Sequence, residues 1–382
     1  MKMIGMLTFH WADDYGALLQ CCALKTYLSR YEKTIVIPYY PKALRSRYRI
    51  LTYYESDKLR WKVRMIGRQI CTKEFYSKLA AKLRMAHFRR LFLTADFREL
   101  DSADEIPVYR RKISIYVVGS DQVWNQEITE GLKEGYFGAF PKRRGVRCTA
   151  YAASIGSERL DASNDAVLAR YFKNFDAISV REPASALYIG SLYGRQPEIV
   201  VDPVFLLKKK EWERLLRNKI PSRGRYIAVY DTEYNEEMAH GIALLREKLN
   251  LPVVVLRAAR RHYDWGGQEE YVWGCGPLEF LAYLYHAEYV VTNSFHGTAM
   301  SVIFHKQFVT YTHSERNARL TGLLHASRLE RRMVRTAKEG GLVMEQIDWE
   351  KTEEVLQKEI KRSEAFIHRE ILMSGCQDTL QH

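Results

Sequence analysis

The stretch Thr292-Asn293-Ser294-Phe295-His296-Gly297 crowds a histidine, small polar groups and a glycine into one junction. An apolar run, Ala287 to Val291, precedes it. After it, Ala299, Val302 and Ile303 recur at helical spacing. Such a junction lies at the carboxyl end of a strand and the amino end of a helix. Free backbone N–H groups and the positive end of the helix dipole favour an anion there, phosphate or carboxylate. Asn293 and Ser294 add donors, and Gly297 lets a ligand come close to the backbone. His296 exchanges a proton near neutral pH. Capping and turn formation would use the same residue types for a purely structural purpose.

The elements that must hold this junction follow from periodicity. Apolar runs at 2–9, 34–40, 113–120, 147–154, 177–182 and 198–207 read as strands, and helical patterns at 15–30, 162–175 and 184–192 alternate with them. A second series has strands at 225–230, 252–256, 287–292 and 307–311, with helices at 236–249, 277–285, 296–305 and 317–324. The alternation predicts an α/β fold of two Rossmann-like domains with parallel sheets covered on both faces, facing a cleft. Residues 1–205 are expected to form the first domain, with an insertion at about 40–100, residues 206–345 the second, and 346–382 a closing helix and tail. In open parallel sheets ligands bind beyond the carboxyl ends of the strands. The loops at those positions carry His10, Tyr15, Asp121, Gln122, Trp124, Asn125, Arg181 and His296. So many polar side chains on six such loops point to one shared polar cleft.

The chain of 382 residues carries a net charge of +13. Nearly all of it comes from one segment: residues 40–98 hold sixteen Lys and Arg against four Asp and Glu. Aromatic residues are interleaved there, among them Tyr48, Trp61 and Tyr76. Leu59, Val63, Ile66 and Ile70 share one helical face beside Arg60, Lys62, Arg64 and Arg68. Two readings stay open, a solvated insertion packed on the domain, or contact with an anionic membrane surface or lipid-diphosphate ligand through 42–98. No recognisable nucleic-acid module surrounds the patch, so nucleic acid is not an expected partner. The opening MKMIGMLTFHWADD does not read as a signal peptide, and no run of about 18 apolar residues suggests a membrane span. The six cysteines are scattered without a C-x-x-C pair, which predicts reduced thiols and a cytoplasmic location, peripheral to the inner membrane face if the basic segment docks there.

Six segments, GMLTFHWADDYGALLQ, VVGSDQVWN, YAASIG, ISVREPAS, VDPVFLL and VVTNSFHGTAMSVI, resemble in order the polysaccharide pyruvyl transferases, from about Gly5 to Leu324. The resemblance implies a GT-B-like fold. It also implies transfer of pyruvate from phosphoenolpyruvate onto a hydroxyl pair of a sugar, giving a cyclic ketal and phosphate, in capsular or exopolysaccharide biosynthesis. The family's histidine falls on His296, its arginine on Arg181, and the Asn and Arg of a later segment on Asn317 and Arg319. Phosphoenolpyruvate carries two anionic groups, which Arg181, Arg319 and the helix terminus would bind. Asn293, Ser294, Gly297, Asn317 and Arg319 thus form the expected donor site. His10, Tyr15, Asp121, Gln122, Trp124 and Asn125 form the expected acceptor site, the indole facing a sugar ring. The acceptor is expected to be lipid-diphosphate-linked. Neither cofactor nor metal is expected. Two departures stand out: Asp14 where the family often has Asn, and Gln307 where it often has Pro. Two other functions fit the layout. One is a glycosyltransferase using a nucleotide sugar, with residues 256–265 gripping a diphosphate. The other is a non-catalytic glycan-binding protein.

Overall fold

The computed structural model describes residues 3–45, 48, 50–51, 59–93, 98–109, 112–157, 159–216, 221, 224–257, 269–314, 317–342 and 345–372. Most of the 256–265 segment, together with Tyr53 and Tyr54, lies outside the described residues. So do the side chains of Leu59 and Arg60.

Two parallel six-stranded sheets organise the chain. The first comprises β1 (Met3–Leu7), β2 (Lys33–Val36), β3 (Ile115–Val118), β4 (Arg147–Ala153), β5 (Ala177–Val180) and β6 (Glu198–Ile199), in the spatial order β2-β1-β3-β4-β5-β6. The second comprises β7 (Ile227–Tyr230), β8 (Val253–Arg257), β9 (Glu270–Trp273), β10 (Tyr289–Thr292), β11 (Gln307–Tyr311) and β12 (Met333–Val334), in the order β12-β11-β10-β7-β8-β9. Every ladder pairs in parallel. The central strands are buried on both faces, which is why they read as unbroken apolar runs. This is the two-domain α/β layout expected from the sequence.

Three differences have local causes. The segment 198–207 is a two-residue strand followed by a 3₁₀ turn, Pro203–Leu206. Asp202 caps that turn, its Oδ1 accepting from the Val204 N–H at 3.0 Å, and proline starts it. The edge strands β9 and β12 were not expected. One is only partly buried and the other has two residues, so neither offers a readable period.

Seven helices bear on the site: α1 (Tyr15–Leu28), α2 (Leu59–Ile70), α3 (Lys73–Phe88), α4 (Pro277–His286), α5 (Phe295–Ile303), α6 (Asn317–Ala326) and α7 (Trp349–Ile367). Helix α1 is apolar all round and buried on nearly every side. It lies between the first sheet and the second domain. Its Tyr15 stacks on Phe280 of α4, with ring centroids 4.7 Å apart, and donates to the Cys275 carbonyl at 3.1 Å. One apolar core therefore runs through both domains, from Leu18 and Cys22 to Leu281, Met300 and Val302. Helix α7 returns to the first domain, where its Ser363 Oγ accepts from the Val201 N–H at 2.9 Å.

Trp124 corrects an expectation. It is fully buried among Phe137, Phe172 and Phe175, and its indole N–H donates to the Tyr136 carbonyl at 2.7 Å. It is a core residue with no face left for a sugar. Tyr15, equally, is spent on the domain interface. Trp124→Ala is expected to destabilise the protein by about 3–5 kcal/mol, measured as a fall in the denaturant midpoint. A midpoint left in place with weakened sugar binding would instead return Trp124 to the acceptor site.

Candidate active site

Each sheet reverses its strand order once, between β1 and β3 in the first and between β7 and β10 in the second. At such a reversal the flanking loops part and leave a crevice at the carboxyl ends of the strands. Here the two crevices face each other. Asp14 follows β1, Asp121 and Gln122 follow β3, Thr232 follows β7, and Asn293 to His296 follow β10; all line one cavity of about 260 Å³. Arg319 and His313 complete its wall from the second domain.

His296 occupies the second position of α5, with Ser294 as the N-cap. Its ring rests on Gly16 of α1, across the domain boundary. A Cβ on Gly16 would come within 1.9 Å of His296 Nδ1, so no larger residue fits at Gly16 without moving the imidazole. On the other edge, Nε2 stands 3.7 Å from Asp202 Oδ2. That is an electrostatic contact longer than a hydrogen bond, a separation common at catalytic pairs before substrate binds. Burial by itself would raise the Asp202 pKa, but His296 and the Arg181 guanidinium outweigh it and hold the carboxyl well below its usual range. The carboxylate favours a proton on Nε2, leaving Nδ1 on the Gly16 side. An imidazole backed by a buried carboxylate at a helix N-terminus can transfer protons beside an anion.

Arg181 is placed differently from expectation. Its side chain is only 4 % exposed and does not line the His296 cavity. It reaches Asp202 Oδ2 at 2.5 Å, Asp121 Oδ1 at 3.4 Å and Glu182 Oε1 at 3.7 Å. Burial would lower its pKa, but those three carboxylates raise it further. A guanidinium already neutralised by three carboxylates is not an open cation for phosphoenolpyruvate. It instead ties together the loops after β3, β5 and β6. Arg319, by contrast, lines the cavity. Phe295 lies between the two guanidinium groups, its ring centroid 5.5 Å from Arg181 and 5.7 Å from Arg319.

The remaining candidates separate. Asn293 and Ser294 line the cavity, and Asn293 Oδ1 also accepts from the Thr232 N–H at 2.8 Å. Gly297 does not line it. A Cβ there would meet Thr292 Oγ1 at 2.4 Å, so that glycine serves helix–strand packing rather than ligand approach. Asn317 is turned to the backbone of His313, accepting from its N–H at 2.8 Å and donating to its carbonyl at 2.6 Å. Asn317 and Asn125 line a second, larger cavity of about 1080 Å³, together with Glu182, Arg159 and Thr321. The Gln122 amide lies between Asn125 and Arg319; its oxygen accepts from Asn125 Nδ2 at 2.7 Å or, turned over, from Arg319 Nη2 at 3.0 Å. His10 belongs to neither cavity. It is buried 3.2 Å from the Thr8 carbonyl, and desolvation lowers its pKa to about 4. On the cavity wall, Asp14, Gly16, Thr232 and His313 were not among the expected site residues, and neither was Asp202 beneath the histidine. Thr232, His313 and Asp202 each lie within three residues of a strand end, and Asp14 and Gly16 stand where α1 begins after β1, so position after a strand was the signal the sequence carried for them.

Gly16→Ala is expected to displace the His296 ring. Overpacking a tight contact costs about 1–3 kcal/mol, and the expected result is a modest fall in melting temperature with a much larger loss of turnover. Equal proportional losses, or none, would mean that the ring is not seated by this contact.

No curated protein matches the sequence. Among solved structures the chain is similar to UDP-GlcNAc 2-epimerase from Methanocaldococcus jannaschii, with 9% identity over 94% of this chain and 92% of that one and a TM-score of 0.49. It is similar to UDP-GlcNAc 2-epimerase from Neisseria meningitidis, with 8% identity over 95% and 94% and a TM-score of 0.47. It is also similar to a spinosyn rhamnosyltransferase complexed with thymidine diphosphate, with 10% identity over 97% and 99% and a TM-score of 0.42. The family model for polysaccharide pyruvyl transferase matches residues 14–315, from the Asp14 loop through the His296 junction, and the chain belongs to that transferase family.

Proposed function

We propose that this protein transfers pyruvate from phosphoenolpyruvate onto a pair of hydroxyls of a sugar, forming a cyclic ketal and releasing inorganic phosphate. One observation carries the reading: a histidine backed by a buried carboxylate at a helix N-terminus, lining the same small cavity as Arg319. Membership of the pyruvyl transferase family supports it. A three-carbon phosphate ester is small enough for a cavity of about 260 Å³. Its two anionic groups suit the N-terminus of α5 and Arg319.

The chemistry then asks little of the protein beyond placement and proton transfer. One sugar hydroxyl gives up its proton and adds to C2 of phosphoenolpyruvate as C3 takes up a proton and becomes a methyl group. The C2–O bond to phosphate breaks, and phosphate leaves with the electron pair. The second hydroxyl closes on C2 and gives up its proton. His296 Nδ1 is the atom that exchanges a proton with substrate, while Asp202 keeps the ring in one orientation. Asp14 and Asp121, on the wall facing the second domain, receive hydrogen bonds from the sugar hydroxyls. Asn125 and the larger cavity accommodate the rest of the acceptor, a lipid-linked sugar of a capsular or exopolysaccharide precursor.

The test is incubation of the purified protein with phosphoenolpyruvate and sugars bearing free hydroxyl pairs, read by mass spectrometry and by phosphate release. A mass gain of one pyruvate less one water, matched by phosphate, is the expected product. A hexose gained from a nucleotide sugar would overturn the reading in favour of a glycosyltransferase, and binding without turnover in favour of a glycan-binding protein. His296→Ala is expected to lower turnover by about 10²–10⁴-fold with an unchanged melting temperature. Arg319→Lys keeps the charge but loses the forked donor geometry. It is expected to raise the KM for phosphoenolpyruvate and leave that for the sugar in place.

A further inference from the structure

The basic insertion is built in two parts. Helix α3 is the anchored part: it buries Ala81, Met85 and Phe88 against the protein. Just beyond it, Arg89 donates to the carbonyls of His10, Trp11 and Ala12 and pairs with Asp13. Arg84 Nη1 donates to the Gly274 carbonyl of the second domain at 2.6 Å. The insertion is therefore fixed beside the loop that follows β1 and leads to the cleft.

Helix α2 is the presented part. Lys62, Ile66 and Gln69 are its half-buried side, and the rest faces outward. Trp61 is 59 % exposed and Val63 63 % exposed, with Met65 and Ile70 also exposed. Arg64 and Arg68 stand on the same outward side, and the Arg64 guanidinium lies 5.9 Å from the Trp61 ring centroid. The first turn of α3 extends the surface with exposed Lys73 and Tyr76. Large apolar side chains scattered singly on a surface are ordinary, but neighbouring helical turns that alternate them with cations along the whole of α2 and into α3 are not. No described acidic residue of α2 offsets the charge; Glu74 of α3 is held by Lys78 at 2.6 Å.

We propose that α2 and the first turn of α3 dock this protein on an anionic lipid bilayer. The long Arg and Lys side chains reach the headgroup phosphates while Trp61, Val63, Met65 and Ile70 enter the boundary with the acyl chains. Charge complementarity selects the occupant: a neutral apolar partner would leave the arginines desolvated and unpaired, whereas acidic headgroups pair them. No helix of the described residues is long and apolar enough to cross a membrane, so the contact is with the surface. It stands independently of the reaction proposed above.

The experiment is co-sedimentation of the full-length protein with vesicles of equal parts phosphatidylglycerol and phosphatidylcholine, against phosphatidylcholine alone, at about 0.15 M salt, where the Debye length is about 8 Å. Binding to the mixed vesicles, absent from the neutral ones and lost as salt rises, is expected. Arg64→Glu with Arg68→Glu is expected to weaken the partition by more than about thirtyfold, and Trp61→Ser with Val63→Ser to weaken it while the charge is intact. Both variants should keep the parent's melting temperature, because these side chains lie outside the core. Protein left in the supernatant with either vesicle overturns the proposal, as does equal binding to both. So does self-association without lipid that the same substitutions abolish, which would make the face an interface between copies of this chain.

Discussion

The structure turns on one buried carboxylate. Asp202 has no exposed side-chain surface, yet it faces both Arg181 and His296. The arginine comes from the first domain and the histidine from the second. A carboxylate left alone at that depth would be strongly disfavoured as the anion. It stays charged because two groups from opposite sides of the cleft attend it, so the folding of each domain completes the other's electrostatics. Removing Arg181 or Asp202 would leave buried charge short of a partner, so the pair positions the loops around it.

The same constraint explains the glycine at position 16. The imidazole can meet Asp202 only if α1 lets it lie flat on the backbone, and the absent Cβ makes that room. Helix α1 is in turn held by the apolar core shared between the domains, through Tyr15, Phe280 and Tyr230. The histidine's position is thus decided by packing on three sides: its own helix, the neighbouring domain's helix and the carboxylate behind it. A side chain held this way has little order left to lose when a ligand enters.

Arg181 and Arg319 show how one residue type is divided between two tasks. Both flank Phe295, at nearly equal distance. Arg181 is surrounded by three carboxylates and works as a strut, while Arg319 lines the cavity wall. The acidic neighbours also set the character of the cavity. Asp14 and Asp121 give one wall hydrogen-bond acceptors, and Arg319 and the α5 terminus give the other wall donors.

The sequence by itself determined the two parallel sheets, because strands buried on both faces must be continuous apolar runs and those runs are visible without a structure. It also determined the His296 junction, because a strand end, an N-cap serine and a helix start are local features. It placed Asn293, Ser294, Asp121, Gln122 and Arg319 near the cleft for the same reason: they follow strand ends or fall on a family motif. What only the tertiary structure decided is which way each side chain turns once it leaves its strand. Trp124 and Tyr15 sit on the right loops but turn into cores. Gly297 faces Thr292, and His10 is buried against its own backbone. Asp202 and Gly16 are distant from His296 in sequence and meet it only because two domains close on each other. No period or spacing along the chain records a contact of that kind, since its cause is the packing of one domain against another.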